Sequence, residues 1–312
     1  VTTATAPPIG AIYRAHRPGP PLADFVEHFW YTAGYRPGGA PRPDRGERPD
    51  RSERPDHSEH RERSERPEET ERILPSGSMS LILNLREDRQ RIVDPRHPER
   101  IQTTPGSILA GAHSEYVVVD AACLDTTLGI AFKPGGAFPF FRLPAGELHN
   151  TQAALADLWG PAAGVLRERL LAAPTPDHQF ALLEAALLAR AVRPLAPDPA
   201  VAFAVRQLQS SPTAILHLTH HLGLTPARFI RLFKDHVGLT PKLYHRLQRF
   251  QQALRRAHRL PGADRIDWSA VALGCGYFDQ SHFNHDFRAF SGLNPTHYLA
   301  HRSDHQNHVA LE

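Results

Sequence analysis

Residues 220–241 read HHLGLTPARFIRLFKDHVGLTP and residues 274–295 read GCGYFDQSHFNHDFRAFSGLNP. Laid over one another at an offset of 54 residues, Phe229 falls on Phe283, Phe233 on Phe287, Gly238-Leu239 on Gly292-Leu293 and Pro241 on Pro295. One offset that matches aromatic, glycine and proline positions together marks an internal repeat, and its punctuation is that of a helix-turn-helix. In the first copy, apolar residues at 215, 218 and 222 make one face of a short helix. Gly223 then permits the tight turn, Thr225 is an N-cap, and Pro226 suits the first helical position. The following helix is expected to bury Phe229, Leu232, Phe233 and Val237 and to stop at Gly238. In the second copy, Val271 and Ala272 face inward, Gly274 and Gly276 serve the turn, and Asp279 is the N-cap. Phe283, Phe287 and Phe290 form its buried stripe, and Gly292 ends it.

Between the copies, residues 241 to about 259 are expected to form one amphipathic helix. Leu243, Leu247, Phe250 and Leu254 lie on one side of it, and Arg246, Arg249, Arg255 and Arg256 mostly on another. At about 1.5 Å per residue such a helix is roughly 28 Å long. That length suits two heads set in successive major grooves, about 34 Å apart on one face of DNA. Charge agrees with a polyanionic partner: residues 197–312 hold 13 Lys/Arg against 8 Asp/Glu, although the whole chain of 312 residues has a net charge of only +3.

Upstream the pattern changes. Residues 25–32 (FVEHFWYT), 80–85 (SLILNL), 107–110, 116–120 and 127–132 (TLGIAF) are short, β-branched or aromatic runs punctuated by Pro and Gly, and read as strands. After Pro144 leucines recur at helical spacing over 151–158, 162–172 and 177–192, and RPLAPDP (193–199) reads as a linker. Residues 36–72 are an imperfect repeat of Arg-Pro-Asp and Ser-Glu-Arg with 10 Arg, 11 acids and no Val, Ile, Leu or aromatic residue. Nothing there offsets the entropy of ordering, so the segment is expected to be a disordered insertion in a hairpin loop. The expected fold is therefore α+β. A β-rich, barrel-like N-terminal domain with helices (1–192) is followed by the linker, an all-α domain with two helix-turn-helix motifs joined by a long helix (200–301), and a flexible tail (302–312).

The stretches LGLTPARFIRLFKDHVGLTPKLYHRLQRFQQAL (222–254) and ALGCGYFDQSHFNHDFRAFSGLNPTHY (272–298) resemble the AraC/XylS family of transcription regulators over about a third of the chain. LPSGSMSLILNL (74–85), LGIAFKPGGAFPFF (128–141) and ELHNTQAALADLWG (147–160) resemble a sensor-type domain that precedes this module in some members. The resemblance implies double-stranded DNA as partner, RNA polymerase as a second one, an effector or dimerisation role for the N-terminal domain, and a cytoplasmic activator. Either a small-molecule effector or a homodimer fits the front domain.

In the first reading helix the side away from the core presents Ala227, Arg228, Ile230, Arg231 and Lys234. An arginine at 231 matches a base-reading position of the family and can bond both acceptors of a guanine edge. Arg228 and Lys234 suit phosphates, while Ala227 and Ile230 depart from the polar or large residues often found there in the family and either touch a thymine methyl or leave this head less specific. In the second helix the exposed set is Gln280, Ser281, His282, Asn284 and His285, with Arg288 further along. Gln280 and Asn284 can pair with adenine edges, and His282 has an equally good structural alternative.

Other classes find little support. No run of about 18 apolar residues exists for a membrane span, and the N-terminus lacks a signal-like apolar core. Cys123 and Cys275 make neither a disulfide framework nor a four-cysteine zinc site. The tail histidines of HRSDHQNH (301–308) form no closed ligand set, so no metal is expected. KPGGAF (133–138) lacks the Gly-Lys-Ser/Thr ending of a phosphate loop, and GAHSE (111–115) lacks a His-x-His pair. Neither an enzyme nor a bound cofactor is expected. Phe29, Trp30, Tyr31, Phe132, Phe138, Phe140 and Phe141 read as core more readily than as a ligand pocket.

Overall fold

The computed structural model describes residues 12–35, 67, 69–210, 215–259, 266–303 and 305–311. Its first part is built on two antiparallel sheets that do not close into a barrel. The six-stranded sheet runs β1 (Ile12–His16), β2 (Val26–Ala33), β9 (Thr126–Phe132), β4 (Ser80–Asn84), β7 (Ser107–Ala110) and β10 (Gln152–Ala154) in spatial order. Its interior is Phe29, Leu81, Leu83, Leu109, Leu128, Ile130 and Phe132, contributed by alternate positions of these strands, as a one-sided sheet requires. Gly129 lies opposite Trp30 in the register, where a Cβ would collide with the indole ring, so glycine here admits the tryptophan. Phe140 and Phe141 are also buried, whereas Trp30, Tyr31 and Phe138 are partly exposed, so the aromatic set is mainly core.

The five-stranded sheet runs β11 (His308–Leu311), β3 (Thr70–Ile73), β8 (Val117–Asp120), β5 (Arg89–Asp94) and β6 (His97–Pro105). Three expectations change here. Most of the low-complexity segment 36–72 lies outside the described residues, but its end is strand β3, because Glu71 and Ile73 pair with Val119 and Val117. The segment joins β2 of one sheet to β3 of the other, so it does not close a hairpin. The expected flexible tail instead carries β11, whose Val309 is 1% exposed and whose backbone pairs with β3. The edge of β3 is a row of open hydrogen-bonding groups, and the tail fills it.

Helices α1 (Leu155–Trp159), α2 (Ala162–Ala172) and α3 (Pro176–Ala189) follow, the last capped by Thr175 with Pro176 at its first position. The stretch expected to be a linker is bonded at its start. Arg193 lies over the Phe138 ring at 4.1 Å and donates to the carbonyls of Phe138, Phe141 and Arg142. Asp198 then accepts from the backbone N–H of Ala200 and Val201 to start α4 (Pro199–Ser210). The remaining helices are α5 (Ile215–Leu222), α6 (Pro226–Val237), α7 (Pro241–Arg259), α8 (Trp268–Gly274), α9 (Gln280–Ser291) and α10 (Pro295–His301). One continuous hydrophobic core runs from the first sheet into these helices.

Candidate nucleic-acid interface

Both repeat units fold by the same local rules. The Thr225 hydroxyl accepts from the N–H of Arg228, and the Asp279 carboxylate accepts from the N–H of His282, equivalent bonds at equivalent positions. Both helices end on glycines in the left-handed region, Gly238 at φ 93° and Gly292 at φ 69°, with the glycine N–H bonded to the carbonyls of Lys234 and Arg288. The buried stripes hold Phe229, Phe233 and Val237 in α6, and Phe283, Phe287 and Phe290 in α9, whereas Leu232, also expected inside, is only half-buried. Phe233 packs on Tyr244 of α7 at 5.5 Å between ring centroids, and Phe287 packs on Phe250 of the same helix at 5.2 Å. The long helix therefore packs on both heads, on the first through Tyr244 and on the second through Phe250.

That central helix is more buried than its pattern suggests. Tyr244, Gln248, Gln251, Ala253 and Ala257 are buried in addition to Leu247, Phe250 and Leu254, while Leu243 is half-buried. Arg246 and Arg249, expected on an outer face, turn toward Asp286 of α9, a carboxylate only 1% exposed. Arg246 donates to one oxygen through Nε and Nη2 at 3.2 and 2.5 Å, and Arg249 Nη2 approaches the other at 3.5 Å. Arg249 also donates to the carbonyl of Gly276 and lies over the Tyr277 ring at 4.4 Å, fixing the turn of the second head. Burial, and secondarily the nearby Asp286, raises the pKa of the Tyr277 hydroxyl. Nothing in the linear pattern marks Asp286 as buried, because its partners lie 37 and 40 residues away.

On α6, Ala227, Arg228, Ile230, Arg231 and Lys234 are all exposed, and so are Gln280, Ser281, His282, Asn284, His285 and Arg288 on α9. The structure thus gathers the predicted residues into two helix faces, one per head. Lys234 differs from the other ten: its stem lies over Gly146 in the 3-10 turn Ala145–Leu148 of the N-terminal part. The pKa of His149 is held down by burial and then by the Lys234 charge. His236, one turn from Arg231's face, stacks on Phe138 at 3.7 Å. Gln280 accepts from the Ser269 hydroxyl at 2.9 Å, and His282 meets the Tyr277 ring edge-on at 5.4 Å, so His282 has the structural contact that its motif allowed.

The ends of both reading helices meet the N-terminal part through one loop, between β7 and β8. Ala112 faces Gly238, and Tyr116 faces Gly292 so closely that no Cβ fits. Arg72 of β3 lies over the Tyr116 ring at 4.3 Å and donates to the carbonyl of Ser291 at 2.8 Å. Among the described residues no cluster of His, Cys, Asp or Glu has the makings of a metal site, and no helix is long and apolar enough to cross a membrane.

Residues 218–301 match the model of a helix-turn-helix domain, and residues 57–154 match that of a domain of unknown function, DUF6597. No curated protein matches the chain significantly. Among solved structures, ToxT from Vibrio cholerae is similar over 74% of this chain and 93% of its own, at 9% identity and a TM-score of 0.42. A DNA-binding transcriptional dual regulator from Escherichia coli K-12 is similar over 34% of this chain and 98% of its own, at 21% identity and a TM-score of 0.27. The DNA-binding domain of AdpA, a global transcriptional factor solved with a target DNA, is similar over 33% of this chain and 92% of its own, at 25% identity and a TM-score of 0.28. The C-terminal helical module is a helix-turn-helix domain of the AraC type. The chain is accordingly a DNA-binding transcription regulator.

Proposed function

We propose that this regulator is sequence-specific and reads two adjacent major grooves, α6 entering one and α9 the other. The observation that carries the reading is the repetition of an exposed polar face on two identically capped helices fastened to one rigid helix, α7. Arg231, Gln280, Asn284 and His285 act on base edges. Ala227 and Ile230 meet thymine methyls, and Arg228, Ser281, His282, Lys234 and Arg288 hold phosphates. In this reading residues 1–192 form an effector or dimerisation unit and residues 200–301 the DNA-binding unit. The protein works in the cytoplasm as an activator that engages RNA polymerase and answers to a small-molecule effector or to homodimerisation.

Selection of binding sites from random duplex DNA by the full chain, at near-physiological salt, tests this. Two short conserved blocks about one helical turn apart are expected. Uniform, salt-sensitive retention of all sequences would refute specific reading, and a single block would refute the second head.

A further inference from the structure

The two heads differ at one place, and that place carries an unexplained side chain. In the first head the left-handed Gly223 is followed by Leu224, which packs on the core, and then by the N-cap Thr225. In the second, the left-handed Gly276 is followed by Tyr277, 2% exposed, then by Phe278, and only then by the N-cap Asp279. The second turn is one residue longer, and the extra residue is a phenylalanine that is 89% exposed. Its neighbours anchor the backbone on both sides of it. The Tyr277 ring is packed on Phe283 at 5.2 Å and His282 at 5.4 Å, beneath the Arg249 guanidinium, while Asp279 is fixed as a cap. An exposed aromatic ring carried on an anchored backbone has only its own two side-chain torsions to fix when it meets a partner.

We infer that Phe278 is a specificity residue of the second head, its ring contacting a thymine methyl at the edge of the base block that α9 reads. The inference rests on the DNA-reading function proposed above. Phe278 directly precedes the N-cap of α9, the end of a reading helix that helix-turn-helix docking aims at base edges, and it adjoins the exposed Gln280 and Ser281. The apolar feature that a major groove offers is the C5-methyl of thymine. Arg249 binds the carbonyl of Gly276 and so fixes the turn from which Phe278 projects.

The test uses the full chain and its selected site, with deoxyuridine replacing thymine one position at a time, which removes only the methyl. Wild type is expected to lose about threefold to tenfold in affinity at one thymine of the second block. Phe278→Ala should bind the unmodified site more weakly by a similar factor and be indifferent to that replacement. Phe278→Leu should keep part of both effects, and neither variant should shift the thermal melt, because the side chain supports nothing. Phe278→Ala with wild-type affinity and wild-type deoxyuridine sensitivity would overturn the inference, and a fall in promoter activity alone would then assign Phe278 to a protein contact. A uniform loss with unchanged sensitivity would overturn it too. If wild type selects no two-block site, the functional reading fails first and takes this inference with it.

Discussion

Arg231 and His113 show how differently single residues can matter in this molecule. Arg231 is exposed on the open face of α6, and among the described residues its side chain makes no hydrogen bond or ion pair that a mutation would break. Replacing it with alanine is expected to erase preference at one base position, by about 1–3 kcal/mol of discrimination, with little change in stability. Site selection with the variant decides: an even loss across all sequences would make Arg231 a phosphate contact. His113 is the opposite case. It lies in the loop between β7 and β8, where burial, and then the charge of His149, hold its pKa down to about 4. The native state keeps it neutral, while the unfolded chain takes up a proton below about 6.5. Stability from this group is therefore complete above pH 6.5 and is lost as pH falls from there toward 4, by up to roughly 3 kcal/mol. Urea midpoints for wild type and His113→Gln should agree in slope above pH 7 and diverge below 6. Parallel curves down to pH 4.5 would show that His113 is not held neutral.

At the scale of an element, the left-handed glycine caps separate backbone strain from crowding. Gly223, at φ 62°, has nothing within 4 Å of where a Cβ would stand, whereas at Gly292, at φ 69°, the Tyr116 ring occupies that space. Gly223→Ala is expected to cost about 1 kcal/mol, the left-handed penalty alone. Gly292→Ala should cost at least 1–2 kcal/mol more, with the excess recovered when Tyr116 is also changed to Ala. Additive losses in thermal melts of the double variant would remove Tyr116 from the account. These caps were legible in the sequence because a turn glycine, an N-cap and a phenylalanine stripe are all local signals. The strands 107–110 and 127–132 were legible for the same reason, being short apolar runs. β5 and β6 were not: RQRIVD and HPERIQTTP are dominated by charged and polar residues, and β6 is mostly exposed along its length. What makes them strands is pairing with each other and with β8, which no local pattern records. Phe278 is a third kind of case. The one-residue difference between the turns was open to reading, Gly223 to Thr225 against Gly276 to Asp279, but only the structure shows which of Tyr277 and Phe278 is left outside.

For the whole molecule, the tail decides whether the two parts of the chain behave as one. β11 lies along β3 of the N-terminal sheet, and the residues before it are bonded to the helical part. The Tyr298 hydroxyl donates to the carbonyl of Gln306, Arg302 donates to that of Ala257, and Gln251 of α7 donates both to Asn307 and to the carbonyl of Pro75. Glu71 of β3, 0% exposed, receives the Tyr35 hydroxyl and has His308 Nδ1 at 3.0 Å, so removing the tail strips a buried carboxylate of one of its partners. The composition of residues 302–312 predicted a frayed end because polar residues outnumber apolar ones; the open edge of β3 outweighs that composition by giving the backbone a ladder. Ending the chain at Arg302 is therefore expected to do more than trim an appendage. Leaving a buried carboxylate short of a hydrogen-bond partner costs about 1–3 kcal/mol, and the loss falls on the strap that joins sheet to helices. Calorimetry should show one transition for the full chain and, for the shortened one, an N-terminal transition moved to lower temperature and separated from that of the helices. Site selection by the shortened chain should still return the two blocks, because no reading face includes the tail. A shortened chain that melts once, at the temperature of the full one, would show that β11 adds nothing to the coupling and that the remaining contacts, among them Arg72 with Ser291 and the loop carrying Ala112 and Tyr116, hold the two parts together.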